Sequence, residues 1–231
     1  MERLADLAAA AGLDHSFAQR FELLLAALRD EPTSLTTVRD PRAAADVHVA
    51  DSLVALELRV VREARRIADL GSGAGFPGLV LAAALPDARV ALVESVSRKC
   101  AWLERATQIL DVEAEVVCQR AEDWPEGLGA SDLVTARALA PLGVLLEYAA
   151  PLLAEGGHLV AWKGRRDEGE ERDAEAAGEV LGMQLAEIRR VRPWPDAGDR
   201  HLHLWSKVRP APPQFPRRAG MARKRPLRAS S

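Results

Sequence analysis

The stretch Asp69-Leu70-Gly71-Ser72-Gly73-Ala74-Gly75-Phe76-Pro77-Gly78 sets four glycines between a short apolar run and a longer one that opens at Leu79. Glycines at a strand-to-helix junction permit positive φ and let the backbone approach a ligand, because no Cβ stands in the way. Gly73 to Gly78 satisfies G-x-G-x-x-G, which taken alone indicates only a nucleotide-like cofactor. Pro77 suits the first turn of the following helix, where its missing N–H would have been unpaired anyway.

Working outward, short apolar runs alternate with helical stretches from Arg66 onward, the pattern of successive βαβ units and a parallel sheet. Strands are expected at Arg66 to Leu70, Arg89 to Glu94, Ala114 to Cys118, Asp132 to Ala136 and His158 to Trp162. Two more are expected at Gln184 to Val191 and His201 to Lys207. Helices fit at Pro77 to Leu85, Val96 to Leu110, Leu142 to Leu153 and the acidic Asp167 to Val180.

Two acids narrow the cofactor. Asp69 ends the first strand where a dinucleotide site would carry an apolar residue and leave room for pyrophosphate; a carboxylate there suits the amino group of a methionine moiety. Glu94 closes the second strand about twenty residues beyond the turn, where an acid accepts from both ribose hydroxyls of an adenosine. Together they point to S-adenosylmethionine. Ala121 and Glu122 follow the third strand and can offer backbone groups to the adenine edge, although acids opening a helix also answer its dipole. Arg137 follows the fourth strand, facing the ligand crevice, and either bridges cofactor and an anionic substrate or makes a structural ion pair. Lys163, at the end of the fifth strand, is a candidate phosphate contact on the same argument.

Before the sheet, Phe17, Phe21, Leu24, Leu25 and Leu28 recur at helical spacing, as do Val47, Leu53, Val54, Ala55 and Leu58. The first sixty residues are therefore expected to be mostly helical, with a loop from Pro32 and a helix start near Pro41. His48, Asp51 and Ser52 invite a hydrolase triad, but no nucleophile elbow accompanies them, so capping or inter-segment hydrogen bonding is expected instead. Cys100 and Cys118 stand apart from any CxxC pair or histidine cluster and are expected to be small core residues, with neither a zinc site nor a disulfide framework. His15, His201 and His203 lack metal-ligand spacing. Trp102 and Trp162 lie inside apolar segments and are expected in the core.

The 231-residue chain is 48% hydrophobic and 28% charged, which excludes wholesale disorder. No targeting segment or membrane-length apolar run is visible, and a cytoplasmic address and a monomer are expected. Net charge is −3, yet Lys207, Arg209, Arg217, Arg218, Arg223, Lys224, Arg225 and Arg228 crowd the end of the chain with no acid among them. Such clustering fits an acidic partner, since cations release counterions from a phosphate backbone, or else a solvated mobile tail.

With these residues assembled, the chain resembles the glucose-inhibited division protein B family of small-subunit ribosomal RNA guanine-N7 methyltransferases. The resemblance runs through Leu35-Thr36-Thr37-Val38-Arg39-Asp40, His48-Val49-Ala50-Asp51-Ser52, the glycine turn, Val93-Glu94-Ser95 with Lys99, Ala136-Arg137-Ala138 and Trp162-Lys163-Gly164. It ends in Phe215-Pro216-Arg217-Arg218-Ala219-Gly220 and Lys224-Arg225-Pro226-Leu227. Ser34 departs from the asparagine expected before Leu35.

The resemblance implies an α/β class I (Rossmann-like) methyltransferase with a seven-stranded, mostly parallel sheet and helices on both faces. It implies a helical extension over residues 1–62, a cofactor-binding core over 63–207 and a basic, flexible tail over 208–231. It further implies cofactor contacts at Gly71, Phe76, Ala121, Glu122 and Arg137, joining Asp69, Gly73, Gly75 and Glu94 from the residues themselves. The substrate would be 16S ribosomal RNA or a small-subunit particle, with Arg39, Lys163, Arg217, Arg218, Lys224 and Arg225 as RNA-binding candidates. Neither a metal nor a catalytic base is expected. The alternatives are a nicotinamide-dependent oxidoreductase, disfavoured by Asp69, a methyltransferase of another substrate, and a non-catalytic RNA-binding assembly protein.

Overall fold

The computed structural model describes residues 2–32 and 35–229, so the departure at Ser34 lies outside the described residues. Helices α1 (Glu2–Ala10) and α2 (His15–Arg29) open the chain. Asp14 caps α2 by accepting from Phe17 N at 3.1 Å. The helical spacing of Phe17, Phe21, Leu24 and Leu28 buries all four along one stripe. Helix α3 (Pro41–Ala44) starts where expected, with Asp40 accepting from Ala43 N at 2.7 Å and Pro41 in the first position.

The run expected as one helix from Val47 to Leu58 is instead broken into a π-helical segment Ala45–Ala50, a single turn α4 (Asp51–Leu53) and a 3-10 turn Val54–Glu57. Widened turns of this kind re-aim side chains, and His48 and Asp51 both point inward here. The short α5 (Arg59–Arg62) leads into the sheet.

Seven strands follow the expected positions: β1 (Arg66–Leu70), β2 (Arg89–Val93), β3 (Ala114–Val117), β4 (Ser131–Arg137), β5 (Leu153–Lys163), β6 (Met183–Arg190) and β7 (His201–Lys207). Their order is β3-β2-β1-β4-β5-β7-β6. β1 pairs in parallel with both β2 and β4, and β7 runs antiparallel between β5 and β6. The chain reverses its winding between β1 and β4, the place where an open α/β sheet leaves a crevice at its carboxyl edge. Helices α6 (Gly78–Ala84), α7 (Ser97–Leu110), α8 (Leu142–Leu152) and α9 (Glu168–Leu181) complete the layers.

Alternation along each strand divides the interior into two cores. Ile67, Leu92, Leu133 and Val160 face α6, α7 and the N-terminal helices, while Ala68, Leu70, Val134 and Leu159 face α8 and α9. The extension thus shares one core with the first face of the sheet. Trp102 and Trp162 are buried as expected. No described helix is long and apolar enough to cross a membrane.

Two expectations are corrected. Cys100 and Cys118 form a disulfide, because the start of α7 and the end of β3 meet behind the Glu94 turn and bring the two Cα atoms to 5.8 Å. The basic tail is laid against the core rather than free. Lys207 is buried at the end of β7 and donates to Leu153 O, and Arg209 donates to Glu179 O. Arg217 clamps the buried Glu147 of α8 through two hydrogen bonds of 2.6 and 2.5 Å. A last turn of helix, α10 (Met221–Lys224), buries Ala222 in the second core.

Candidate active site

The glycine turn is built by backbone hydrogen bonding from the sheet edge. Gly71 N and Ser72 N both donate to Val93 O, at 2.8 and 3.2 Å, and Gly75 N donates to Ser72 O at 2.7 Å. Trp102 Nε1 holds the turn from α7 by donating to Ala74 O at 3.1 Å. Gly71, Gly73 and Gly75 take φ of 65°, 59° and 103°, the left-handed region where a side chain is strained. Their surroundings differ. A Cβ at Gly71 would meet Leu139 Cδ1 at 2.5 Å and one at Gly75 would meet Leu79 Cδ1 at 2.2 Å, whereas Gly73 faces only Gly71 O at 3.6 Å. Gly73 is therefore the glycine whose open side a ligand can approach.

Asp69 lies beneath the turn, 1% exposed, rather than at its mouth. Thr135 Oγ1 donates to one carboxylate oxygen at 2.8 Å and Gly78 N to the other at 3.2 Å. It thereby ties β1 to β4 and to the start of α6. Burial pushes its pKa up to about 6 against the hydrogen bonds that pull it down. Pro77 sits just ahead of α6 and accepts from Val80 N and Leu81 N.

Glu94 closes β2 and stitches three pieces together. Ser95 N and Val96 N donate to its Oε1 at 2.8 and 2.9 Å, and Gly73 N donates to its Oε2 at 3.1 Å. Lys99 Nζ stands 3.8 Å from the same Oε2. A carboxylate has about four lone-pair sites, so acceptor capacity remains on the open side.

That side is a cavity of about 430 Å³ across the carboxyl ends of β1 to β4, lined by Gly71, Glu94, Ala121 and Glu122 among others. The size suits a nucleoside-sized ligand. Lys99, Tyr148 and Arg223 also line it. Tyr148, the chain's one tyrosine, is the single aromatic residue of α8, a helix apolar but for Tyr148 and Glu147, a signal that could have singled it out. Arg223 carried no comparable signal, because its place depends on the tail folding back over some eighty residues.

Phe76 and Arg137 gather on the other side of the turn. The His48 ring stacks on Phe76 with centroids 4.7 Å apart and planes at 13°. Arg137 Nη1 donates to Val47 O at 2.8 Å and to Asp51 Oδ2 at 3.0 Å, with its guanidinium carbon 5.8 Å from the Phe76 ring centre. Trp162 Nε1 donates to Asp51 O at 2.7 Å, and His48 Nε2 meets Thr36 Oγ1 at 3.0 Å. His48 and Asp51 thus join segments, as expected, and burial holds the His48 pKa down at about 4. Arg137 takes its structural ion pair here.

The RNA candidates divide. Lys163 is paired with Glu170 at 2.6 Å and Arg217 with Glu147, so both head groups already have a carboxylate partner. The reason is the same for both: an acid on a neighbouring helix neutralises the cation where it emerges. Arg39 donates to Arg29 O at 2.6 Å beside a separate cavity in the helical extension. Arg218, Lys224 and Arg225 are exposed, on the same tail as the cavity-lining Arg223.

A family model described as rRNA small subunit methyltransferase G matches residues 17–202. Ribosomal RNA small subunit methyltransferase G of Rubrobacter xylanophilus is 40% identical over 220 residues, 92% of this chain and 84% of that one. The protein of that name from Desulfitobacterium hafniense is 38% identical over 202 residues, 86% and 83% of the two chains. Among solved structures, a SAM-dependent methyltransferase from Aquifex aeolicus superposes with a TM-score of 0.58 at 16% identity, covering 77% of this chain and 99% of that one, which bears on the fold alone. With its glycine turn, crevice and seven-stranded sheet in place, the chain belongs to the rRNA small subunit methyltransferase G family.

Proposed function

We propose that this chain transfers a methyl group from S-adenosylmethionine to N7 of one guanine in 16S ribosomal RNA. Methyltransferase activity with S-adenosylmethionine as donor goes with the family. The observation that carries the residue assignment is the cavity that unites Gly71, Glu94, Ala121 and Glu122 at the switch point of the sheet. Gly73, bare on its open side, admits the ligand backbone-close, and Glu94 keeps acceptor capacity for ribose hydroxyls. Ala121 and Glu122 border the adenine end. Phe76 and Arg137 stand beyond the turn, on the side toward the helical extension. Asp69 supports the site from beneath, holding the turn rather than meeting the methionine amino group directly.

The bound donor supplies an electrophilic methyl on a sulfonium. Guanine N7 bears a lone pair and loses no proton on methylation, so the chain's residues need only bind, orient and exclude water. No group in the cavity is assigned the role of base. RNA phosphates are met by Arg218, Lys224 and Arg225, which are exposed on the tail that carries Arg223 to the cavity, and by Arg39. Lys163 and Arg217 are withdrawn from that set by their ion pairs. The enzyme acts as a monomer in the cytoplasm, on naked 16S RNA or on a small-subunit particle.

Mapping N7-methylguanosine in ribosomal RNA from cells with and without the gene tests this. One site should lose its methyl group in the deletion strain; an unaltered pattern rejects the guanine-N7 assignment.

A further inference from the structure

The chain beyond β7 does more than cover α8. Arg217 is fastened to the buried Glu147, and three residues later Gly220 N donates to Glu122 Oε1 at 2.8 Å, reaching the adenine-side wall of the cavity. α10 then carries Arg223 to the cavity, where its Nη2 donates to Leu139 O at 2.9 Å and its side chain lines the space together with Tyr148. Leu139 follows Ala138, whose φ of 53° is a left-handed conformation that an alanine holds only when its surroundings impose it. The Leu139 side chain in turn closes over Gly71, where it would collide with any Cβ. One arginine therefore reaches both the strained segment after β4 and the open space beside it.

We propose that the tail closes one side of the cofactor cavity through Arg223 and that Arg223 contacts the cofactor at its adenine end. This rests on assigning that cavity to the cofactor. A guanidinium is planar, permanently charged and donor-only, so it can lie on a purine face or donate to a ring nitrogen, and here it stands with Ala121 and Glu122 around the same space. An arginine recruited only to fasten the tail would need no access to the cavity. Arg217 already does that work on Glu147.

Calorimetry on the full chain tests it with two probes, S-adenosylhomocysteine and 5′-methylthioadenosine, which share the adenosine but differ at the amino-acid end. Arg223→Ala should weaken both by about tenfold, the size of one hydrogen bond to a charged group, while the melting temperature without ligand stays near that of the unmodified chain. Unchanged affinity for both probes overturns the proposal, and so does a loss confined to S-adenosylhomocysteine. Should the variant fold poorly, amide hydrogen exchange on the unmodified chain decides: S-adenosylhomocysteine should slow exchange across residues 219–225, and no slowing overturns the contact. Glu94→Ala separates the two layers of inference. If it leaves S-adenosylhomocysteine binding intact, the cavity assignment falls and the proposal with it; if it abolishes binding while Arg223→Ala changes nothing, only the role of the tail falls.

Discussion

The two ends of the chain both fold back onto the sheet, by opposite physics. The N-terminal helices are joined to it by apolar burial: Phe17, Phe21, Leu24 and Leu28 vanish into the core that also holds α6 and α7. The C-terminal segment is joined largely by charge and backbone polarity, through Arg217 on Glu147, Gly220 on Glu122 and Arg223 on Leu139 O, with Phe215 and Leu227 only partly buried and Ala222 the one fully buried side chain among its described residues. Apolar burial is non-directional and makes a permanent part of the domain. Hydrogen bonds trade against water at small net gain, so a segment held by them can serve a ligand site without carrying the fold. The N-terminal end therefore belongs to stability and the C-terminal end to binding.

The largest effect that would break this contrast lies at Phe21, which is 0% exposed. Phe21→Ala should cost about 3–5 kcal/mol in chemical denaturation, whereas truncation after Gly220 should cost far less stability and register in cofactor affinity. Equal losses from the two would erase the distinction.

Next comes the buried charge of α8 that the tail pairs, Glu147. Arg217→Ala leaves the buried Glu147 carboxylate without its partner and should cost about 3 kcal/mol, while replacing both partners by apolar residues of similar volume should recover most of it. A double variant as unstable as the single one would show that the pair itself stabilises the fold.

Acid should act through two buried histidines, His48 beside the glycine turn and His203 of β7. The His48 pKa is about 4 in the fold against an ordinary 6.5, so its stabilising contribution is present above pH 6.5 and is lost as pH falls through 4. Burial lowers His203 to about 4 as well. Asp69 runs the other way: with its pKa raised to about 6, its contribution is present below about pH 4 and is lost as pH rises through 6. Each histidine is worth at most about 3 kcal/mol by this linkage. Stability measured by denaturant should decline between pH 6.5 and 4, and His48→Gln should flatten the slope; an unchanged slope would reject His48 as its source.

The smallest expected effect concerns the exposed cations of the tail. Replacing Arg218, Lys224 and Arg225 together by glutamine should leave the melting temperature in place, weaken RNA binding and reduce the salt slope by about two for a single-stranded site. A fall in stability, or an unaltered salt slope, would move these side chains out of the RNA set.

The same contrast explains what was legible in the sequence. The strands at Arg66 to Leu70 and His201 to Lys207 stand where the short apolar runs put them, and α2 where the phenylalanine and leucine spacing does, because apolar burial leaves a local trace. The glycine turn, Glu94 and the Ala121-Glu122 step were legible for a related reason: they occupy fixed offsets from strand ends. Tail docking leaves no such trace. Arg217 meets Glu147 across seventy positions, and a run of cations reads alike whether it is solvated, paired or lying on a cavity. The disulfide escaped for the same reason, since two cysteines 18 apart reveal their distance only once α7 and β3 are folded. The π-helical segment at His48 escaped because an added residue in one turn barely disturbs the apolar period.

The central claim is most directly tested with the purified chain, S-adenosylmethionine labelled in its methyl group, and 16S RNA or small-subunit particles from cells lacking this enzyme. The prediction is label recovered in N7-methylguanosine at a single position, and abolished by Gly73→Asp. Label in any other nucleoside, or no transfer to either form of the RNA by a chain that binds S-adenosylhomocysteine, would contradict it.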